Sequence, residues 1–119
     1  MEARALADKI VKILEDKKGK DVAVLDIKDL TVMAEYFVLC TGTSNTHIRT
    51  LAEEVESKLE AEGLANLRKE GYDSLRWVLL DYGDVVVHVF HEEDRAFYNL
   101  ERLWADYSSA VKKGKPSKS

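Results

Sequence analysis

The sequence is poor in the residues that build crosslinks, metal centres and membrane spans. It has one cysteine, Cys40, and one proline among 119 residues. A single cysteine excludes an intramolecular disulfide and cannot by itself build a structural zinc site. The longest apolar run is residues 36–40, far short of the ~18 residues that a membrane-spanning helix needs. The N-terminal residues lack an apolar signal segment and include Asp8, so a cytoplasmic location is expected.

The residues that are present favour one acidic domain with a basic end. Acidic residues number 22 and basic residues 18, and four of the lysines lie in residues 112–119, so residues 1–111 carry a net charge of −8. Such a body is repelled by phosphate backbones, which predicts weak or no direct nucleic-acid contact and favours a basic protein as the partner. Residues 112–119 have little to bury and are predicted to be a disordered basic tail. The tail either solubilises the chain or touches RNA weakly.

Hydrophobic periodicity predicts the order helix, strand, strand, helix, strand, strand, helix. Gly19 is the expected C-terminal cap of the first helix. Ser44 or Asn45 is the expected N-cap of the second helix, which Gly63 ends. The predicted elements, in chain order, are a helix from Ala3, strands at 22–27 and 35–41, a helix to Gly63, a hairpin within 75–90, and a last helix. That helix has Glu93 or Asp94 near its start and an apolar face of Phe97, Leu100, Leu103, Trp104 and Tyr107. Residues 1–111 are therefore predicted to form one α/β (α+β) domain, with a mixed sheet of about four to five strands flanked by three helices.

Residues 75–90 predict a β-hairpin. Tyr82 and Gly83 are its expected two-residue turn, because Gly83 supplies the positive φ that such a turn needs. In this register Asp81 lies directly opposite Asp84. Like charges in that position repel, so the two carboxylates are expected to lie in water or to meet a cation.

The two faces of this hairpin differ in polarity, because successive side chains of a strand point to opposite faces. One face is apolar and suits a core: Val78, Leu80, Val85, Val87 and Val89. The other is mixed: Leu75, Trp77, Leu79, Asp81, Asp84, Val86, His88 and Phe90. A large aromatic side chain rimmed by charge is typical of a protein-binding hot spot, so Trp77 is a candidate anchor. In the alternative, a helix or a second layer covers Trp77 and His88.

Catalytic and metal-binding patterns are weak. His88 and His91 are three residues apart on a predicted strand and point to opposite faces, unless His91 lies in the loop that follows, which is the favoured interpretation. Cys40 lies within an apolar strand, where cysteine acts as a small hydrophobic residue. The turn from Gly42 to Ser44 could hold an anion at a helix start, but such turns are common. No catalytic, cofactor or metal site is predicted.

Two stretches of the sequence are recognisable together. Residues 36–44 read YFVLCTGTS and precede His47, and residues 81–90 read DYGDVVVHVF. Further matching positions follow: Arg95, Phe97, Tyr98, Leu100, Glu101, Leu103 and Trp104. With the opening helix, these motifs resemble the ribosomal silencing factor family, also called Iojap-like, over residues 3–107.

The resemblance implies a non-enzymatic regulator of translation. Members of this family bind the large ribosomal subunit through its ribosomal protein fourteen and block joining of the small subunit, and a role in large-subunit maturation is also associated with them. The family fold is similar to the nucleotidyltransferase superfamily. Gly42 and Ser44 mimic the Gly-Ser turn of that superfamily, but no acidic pair follows to hold magnesium. A nucleotidyltransferase-like, nucleotide-binding enzyme is the alternative function.

Five residues are the predicted partner-binding site. Trp77 and Tyr82 are the expected apolar anchors, Asp81 and Asp84 the expected charge partners of basic side chains, and His88 belongs to the same face. In one alternative, His88 instead forms a buried hydrogen-bonded cluster with Arg95 and Tyr98. In another, the hairpin face serves self-association, so that the free protein is a homodimer.

Overall fold

A computed structural model describes residues 2–95. Of the predicted last helix these residues include only the start, near Glu93 and Asp94, and its apolar face and the basic tail lie outside them. Its elements are α1 (Ala3–Asp16), β1 (Lys20–Asp26), β2 (Tyr36–Gly42), α2 (Asn45–Glu60), β3 (Arg68–Glu70), β4 (Trp77–Asp81), β5 (Val85–His91) and α3 (Glu92–Arg95). The predicted order is confirmed, with one addition. Three-residue β3 is missing from the prediction because its sequence, RKE, carries no apolar signal.

The five strands form one mixed sheet in the order β1-β2-β5-β4-β3. Strands β2 and β5 are parallel, whereas the other three neighbouring pairs are antiparallel. Every residue of β2 and of β5 is buried. These two strands pair on both sides and are covered on both faces, which explains why their sequences are nearly continuous apolar runs. The predicted mixed sheet is confirmed.

Both long helices cover the same face of the sheet. This first face packs the apolar stripes of α1 and α2 against alternate strand residues, including Val38, Val78 and Val87. The second face carries a separate apolar cluster: Ile27, Ala34, Phe37, Leu39, Leu79, Val86 and Phe90. Ile27 and Ala34 belong to the loop between β1 and β2, so this loop folds back over the second face.

The structure corrects the predicted cap at the end of α1 and confirms one of the two caps predicted for the start of α2. Lys18, with φ of 65°, takes the left-handed position after α1 that was predicted for Gly19. Gly19 is required for a different reason, because a Cβ at this position would collide with Sγ of buried Cys40. Ser44 is the N-cap of α2, since its hydroxyl oxygen accepts a hydrogen bond from the His47 N–H at 3.1 Å.

The hairpin register differs from the predicted one by two residues. The Tyr82 N–H donates to the Val85 carbonyl at 2.9 Å, which leaves Gly83 and Asp84 as the turn. Gly83 has a φ of +89°, as expected. Asp81 pairs with Val86 instead of Asp84. Because the shift is even, the two predicted faces of the hairpin survive, apart from Leu75, which packs with the first-face cluster.

Candidate functional site

The five predicted site residues do not form one patch. Trp77 begins β4 and Asp81 ends it, so they are four residue steps, about 13 Å, apart along the strand. Asp84 lies in the turn beyond Asp81, and Tyr82 packs against the cluster on the first face. The site therefore divides into a Trp77 end and a turn end.

At the Trp77 end, the indole is held from two sides. Its Nε1–H donates to Nδ1 of His88 at 3.0 Å. The ring also stacks on Phe90, with the centroids 5.9 Å apart and the planes inclined by 17°. Trp77 is partly buried, so part of its surface stays accessible while its orientation is set by the sheet. A rigid, partly exposed indole is suited to anchor a protein partner.

His88 is fully buried on the second face. Burial lowers the pKa of this imidazole from 6.5 to about 3, and the positive charge of Arg68 acts in the same direction. His88 is therefore neutral at physiological pH. Because the indole N–H can only donate, the imidazole nitrogen facing it is unprotonated and the proton is on Nε2. The structure brings His88 to Trp77 and leaves its ring without accessible surface, so any role of His88 in partner binding would act through the position of the indole.

At the turn end, the two predicted carboxylates differ. The Asp81 carboxylate is mostly buried, accepts a hydrogen bond from the Gly83 N–H at 2.8 Å and lies 3.7 Å from the Arg68 guanidinium. The negative charge of Asp81 is therefore compensated within the chain by Arg68 and the Gly83 N–H. The Asp84 carboxylate is exposed, and among the ion pairs of residues 2–95 none involves it. Of these two carboxylates, Asp84 is therefore the one whose charge is available to a partner.

A polar cluster that the sequence did not reveal links α2 to the β3 side of the sheet. The Glu56 carboxylate accepts hydrogen bonds from the Tyr72 hydroxyl and the Asn66 amide, both at 2.7 Å, and lies 3.3 Å from the Lys69 ammonium. Burial alone would raise the pKa of Glu56, but these donors outweigh it and the pKa is lowered. Nearby Tyr82 is half-buried, and burial raises its pKa to about 12.

Residues that could have been catalytic are committed to structural contacts. His91 is the last residue of β5, which corrects its predicted loop position and places it on the face opposite His88. His47 accepts from the Thr43 N–H with Nδ1 at 3.0 Å and contacts the Lys17 carbonyl with Nε2 at 3.0 Å, as a helix-end contact. Within residues 2–95, no group of three His, Cys, Asp or Glu side chains could hold a metal ion. Over the same residues, no helix is long and apolar enough to cross a membrane.

The structure also exposes apolar side chains that the predicted site omitted. In the loop between β1 and β2, Leu30 is 50% exposed, Val32 103% and Met33 39%, and Leu67 before β3 is 76% exposed. The sequence signal for the first three is that they are apolar although they lie between two predicted strands, in a connection where polar residues are usual.

Solved structures share this fold. A crystal structure of a Chromobacterium violaceum protein superposes with a TM-score of 0.82 at 40% identity, covering 88% of each chain. A crystal structure from Bacillus halodurans gives a TM-score of 0.77 at 40% identity, covering 85% of this chain and 94% of that one. The class is therefore a small α+β domain built on one mixed sheet.

The family follows from sequence. The family model described as "Ribosomal silencing factor during starvation" matches residues 1–119. A ribosomal silencing factor of Chromobacterium violaceum is 40% identical over 118 residues, which are 98% of this chain and 97% of that one. One from Halalkalibacterium halodurans is 42% identical over 106 residues, covering 89% of this chain and 91% of that one. The chain belongs to the ribosomal silencing factor family, so the resemblance seen in its motifs is confirmed.

A plant organellar relative extends this family. The mitochondrial Iojap-related protein of Arabidopsis thaliana is 34% identical over 107 residues, which are 86% of this chain and 58% of that protein. These relatives are named as silencing factors or Iojap proteins and not as enzymes.

Proposed function

We propose that this protein binds the large ribosomal subunit through its ribosomal protein fourteen, with the Trp77 end of the sheet as the anchor. Docked there, it blocks joining of the small subunit by its bulk and so represses translation without catalysing a reaction. Membership of the ribosomal silencing factor family supports the ribosome as the target. The observation that carries the anchor is the partly exposed indole of Trp77, fixed by the 3.0 Å hydrogen bond to buried His88.

Charge supports a basic protein as the direct contact. Residues 2–95 contain 20 acidic and 13 basic residues, a net charge of −7. A body of this charge is attracted to a basic ribosomal protein and repelled by ribosomal RNA. Rim charges mainly affect the rate and salt dependence of such an association, whereas a buried aromatic anchor supplies affinity.

Co-sedimentation with purified bacterial large subunits tests the proposal. We expect Trp77→Ala to weaken binding by about 2–4 kcal/mol, because it removes the anchor. Trp77→Phe keeps an aromatic ring but loses the indole N–H, so its loss should be smaller. Added salt should weaken binding of the wild-type chain, since ion pairs at an interface rim are screened.

Folding of the variants must be measured in parallel, because Trp77 also packs on Phe90. Thermal unfolding of each purified variant shows whether it is folded at the temperature of the binding assay. If folded Trp77→Ala and Trp77→Phe both co-sediment like the wild type, the anchor lies elsewhere on the molecule. If the wild type does not bind large subunits at all, the proposed function itself is wrong.

The same docking position is compatible with a part in large-subunit maturation, since a bound factor there would also mark subunits that have not joined. In the free state, a homodimer that uses this face would have to open before docking. Ultracentrifugation at several concentrations, with and without large subunits, distinguishes a monomer from such a dimer.

A further inference from the structure

The turn end of the sheet presents an apolar surface that the Trp77 anchor does not use. We define the loop patch as Leu30, Val32 and Met33, which lie between β1 and β2 and are 50%, 103% and 39% exposed. Scattered single apolar residues on a surface are ordinary, but three within four consecutive positions are a cluster. Trp77 lies at the opposite end of β4, so the loop patch is a separate surface.

The loop that carries the patch is held at both of its ends. Ile27 and Ala34 are buried in the second-face cluster. The Asp84 carbonyl accepts hydrogen bonds from the Glu35 N–H at 2.8 Å and the Tyr36 N–H at 3.1 Å, which ties the loop to the hairpin turn.

Hydrogen bonds within the loop also fix its course. The Leu30 and Thr31 N–H groups both donate to the Ile27 carbonyl, at 2.9 and 3.2 Å. The Met33 N–H donates to the Thr31 hydroxyl at 3.0 Å. The exposed apolar side chains are therefore presented by a backbone that is already ordered, and an ordered surface pays less entropy on binding.

The charges around the loop patch are predominantly negative. Lys28 is engaged by Asp26 at 3.4 Å and by the Tyr36 hydroxyl at 3.0 Å. Among the ion pairs of residues 2–95, none involves the carboxylates beside the patch: Asp29, Glu35 and Asp84. An apolar centre with an acidic rim is complementary to an apolar depression with a basic rim.

We propose that the loop patch is a second docking surface, which binds a basic protein surface of the large ribosomal subunit. This inference rests on the proposed function and adds a second contact to it. A second copy of this chain fits less well, because a symmetric contact between two such patches would place their acidic rims against each other. Ribosomal RNA fits less well for the same reason, since phosphates and carboxylates repel.

Co-sedimentation of the full chain with bacterial large subunits tests the inference. We expect the double variant Leu30→Ser/Val32→Ser to bind at least tenfold more weakly. The control Leu67→Ser, which removes one exposed leucine on the other side of the turn, should bind within twofold of the wild type. The substituted side chains are exposed, so the fold should be retained. Thermal unfolding of each variant provides that check.

The acidic rim has its own test. Asp29→Asn/Glu35→Gln should weaken binding and reduce its salt dependence if the rim faces basic side chains. Stronger binding of this variant would mean that the rim faces phosphate, and it would overturn the inference.

Other outcomes also overturn the second contact. Unchanged binding of the Leu30→Ser/Val32→Ser variant, while Trp77→Ala fails to bind, would remove the loop patch and leave the proposed function standing. If Leu30→Ser/Val32→Ser (the loop variant) and Leu67→Ser lose binding affinity equally, the effect is not specific to the loop patch. If the loop variant binds normally but loses a dimer that sedimentation velocity detects in the wild type, the patch is a contact between copies of this chain. A wild-type chain that does not bind large subunits would refute the proposed function and the second contact together.

Discussion

The buried imidazole of His88 leads to a quantitative prediction for folding stability. In the folded protein the pKa of His88 is about 3, against 6.5 for an ordinary histidine. Between these values the unfolded chain binds a proton at this position and the folded chain does not. Lowering the pH therefore stabilises the unfolded state selectively, and the free energy of unfolding must fall.

The magnitude follows from the two pKa values. Above pH 6.5 both states are neutral and the effect is absent. Below it the loss approaches about 1.4 kcal/mol per pH unit, which amounts to about 2 kcal/mol at pH 5. The loss stops growing only below the folded pKa. Other groups titrate over the same range, so the contribution of His88 must be isolated by comparison with a variant.

The variant His88→Gln isolates this contribution. Glutamine does not titrate, and its side-chain oxygen can accept the hydrogen bond from the Trp77 indole. Urea unfolding followed by tryptophan fluorescence gives the free energy of unfolding of both proteins from pH 7.5 to pH 5. We expect the wild type to lose about 2 kcal/mol relative to the variant over this range. Parallel curves for the two proteins would refute a neutral, buried His88.

Two further predictions concern parts of the fold outside the Trp77 end. Glu56→Gln should lower the free energy of unfolding by about 1–2 kcal/mol near pH 7, because it disrupts the pairing with Tyr72, Asn66 and Lys69. Since the pKa of Glu56 is lowered in the folded protein, the difference in unfolding free energy between wild type and variant should shrink as the pH falls below 4.5. A difference that stays constant with pH would contradict this. Gly19→Ala should cost about 1–3 kcal/mol, because the new methyl group meets Cys40. Thermal and urea unfolding of Gly19→Ala in a Cys40→Ala background measures the coupling, and an unchanged cost there would exclude the collision as its cause.

Periodicity was sufficient to predict most of the sheet and both long helices. The stripe from Ile48 to Leu59 and the run of residues 36–40 carry strong signals for a buried helix face and a central strand. Strand β3 has no such signal, since its three residues are polar and it is defined only by its pairing with β4. Its existence depends on tertiary contacts that a local pattern does not contain.

The hairpin shows how a correct face assignment can accompany a wrong register. Alternation of side chains depends only on parity, so Trp77 and His88 were placed on one face under both registers. The choice between Tyr82-Gly83 and Gly83-Asp84 as the turn depends on backbone geometry, because both pairs contain the glycine. That choice decided whether Asp81 and Asp84 are opposite each other.

The candidate site was predicted less well than the fold, because distances and burial decide it. The sequence indicates that Trp77 and Asp81 share a face, but the length of β4 separates them. It also cannot show that Arg68 lies beside Asp81, since these residues come together only through the β3–β4 pairing. The apolar residues Leu30 and Val32 were visible in the sequence, yet their exposure depends on how the loop is anchored.

Site-specific crosslinking tests most directly whether the Trp77 end contacts ribosomal protein fourteen. Glu93 is exposed and lies 3.2 Å from Arg76, the residue before Trp77, so a photoreactive amino acid at this position reports on that end of the sheet. Thr50 on α2 is exposed on the helical side of the molecule and is the control position. We expect irradiation on large subunits to crosslink position 93, and not position 50, to ribosomal protein fourteen. Crosslinks from position 50 alone, or from position 93 to other ribosomal components only, would contradict the proposed docking.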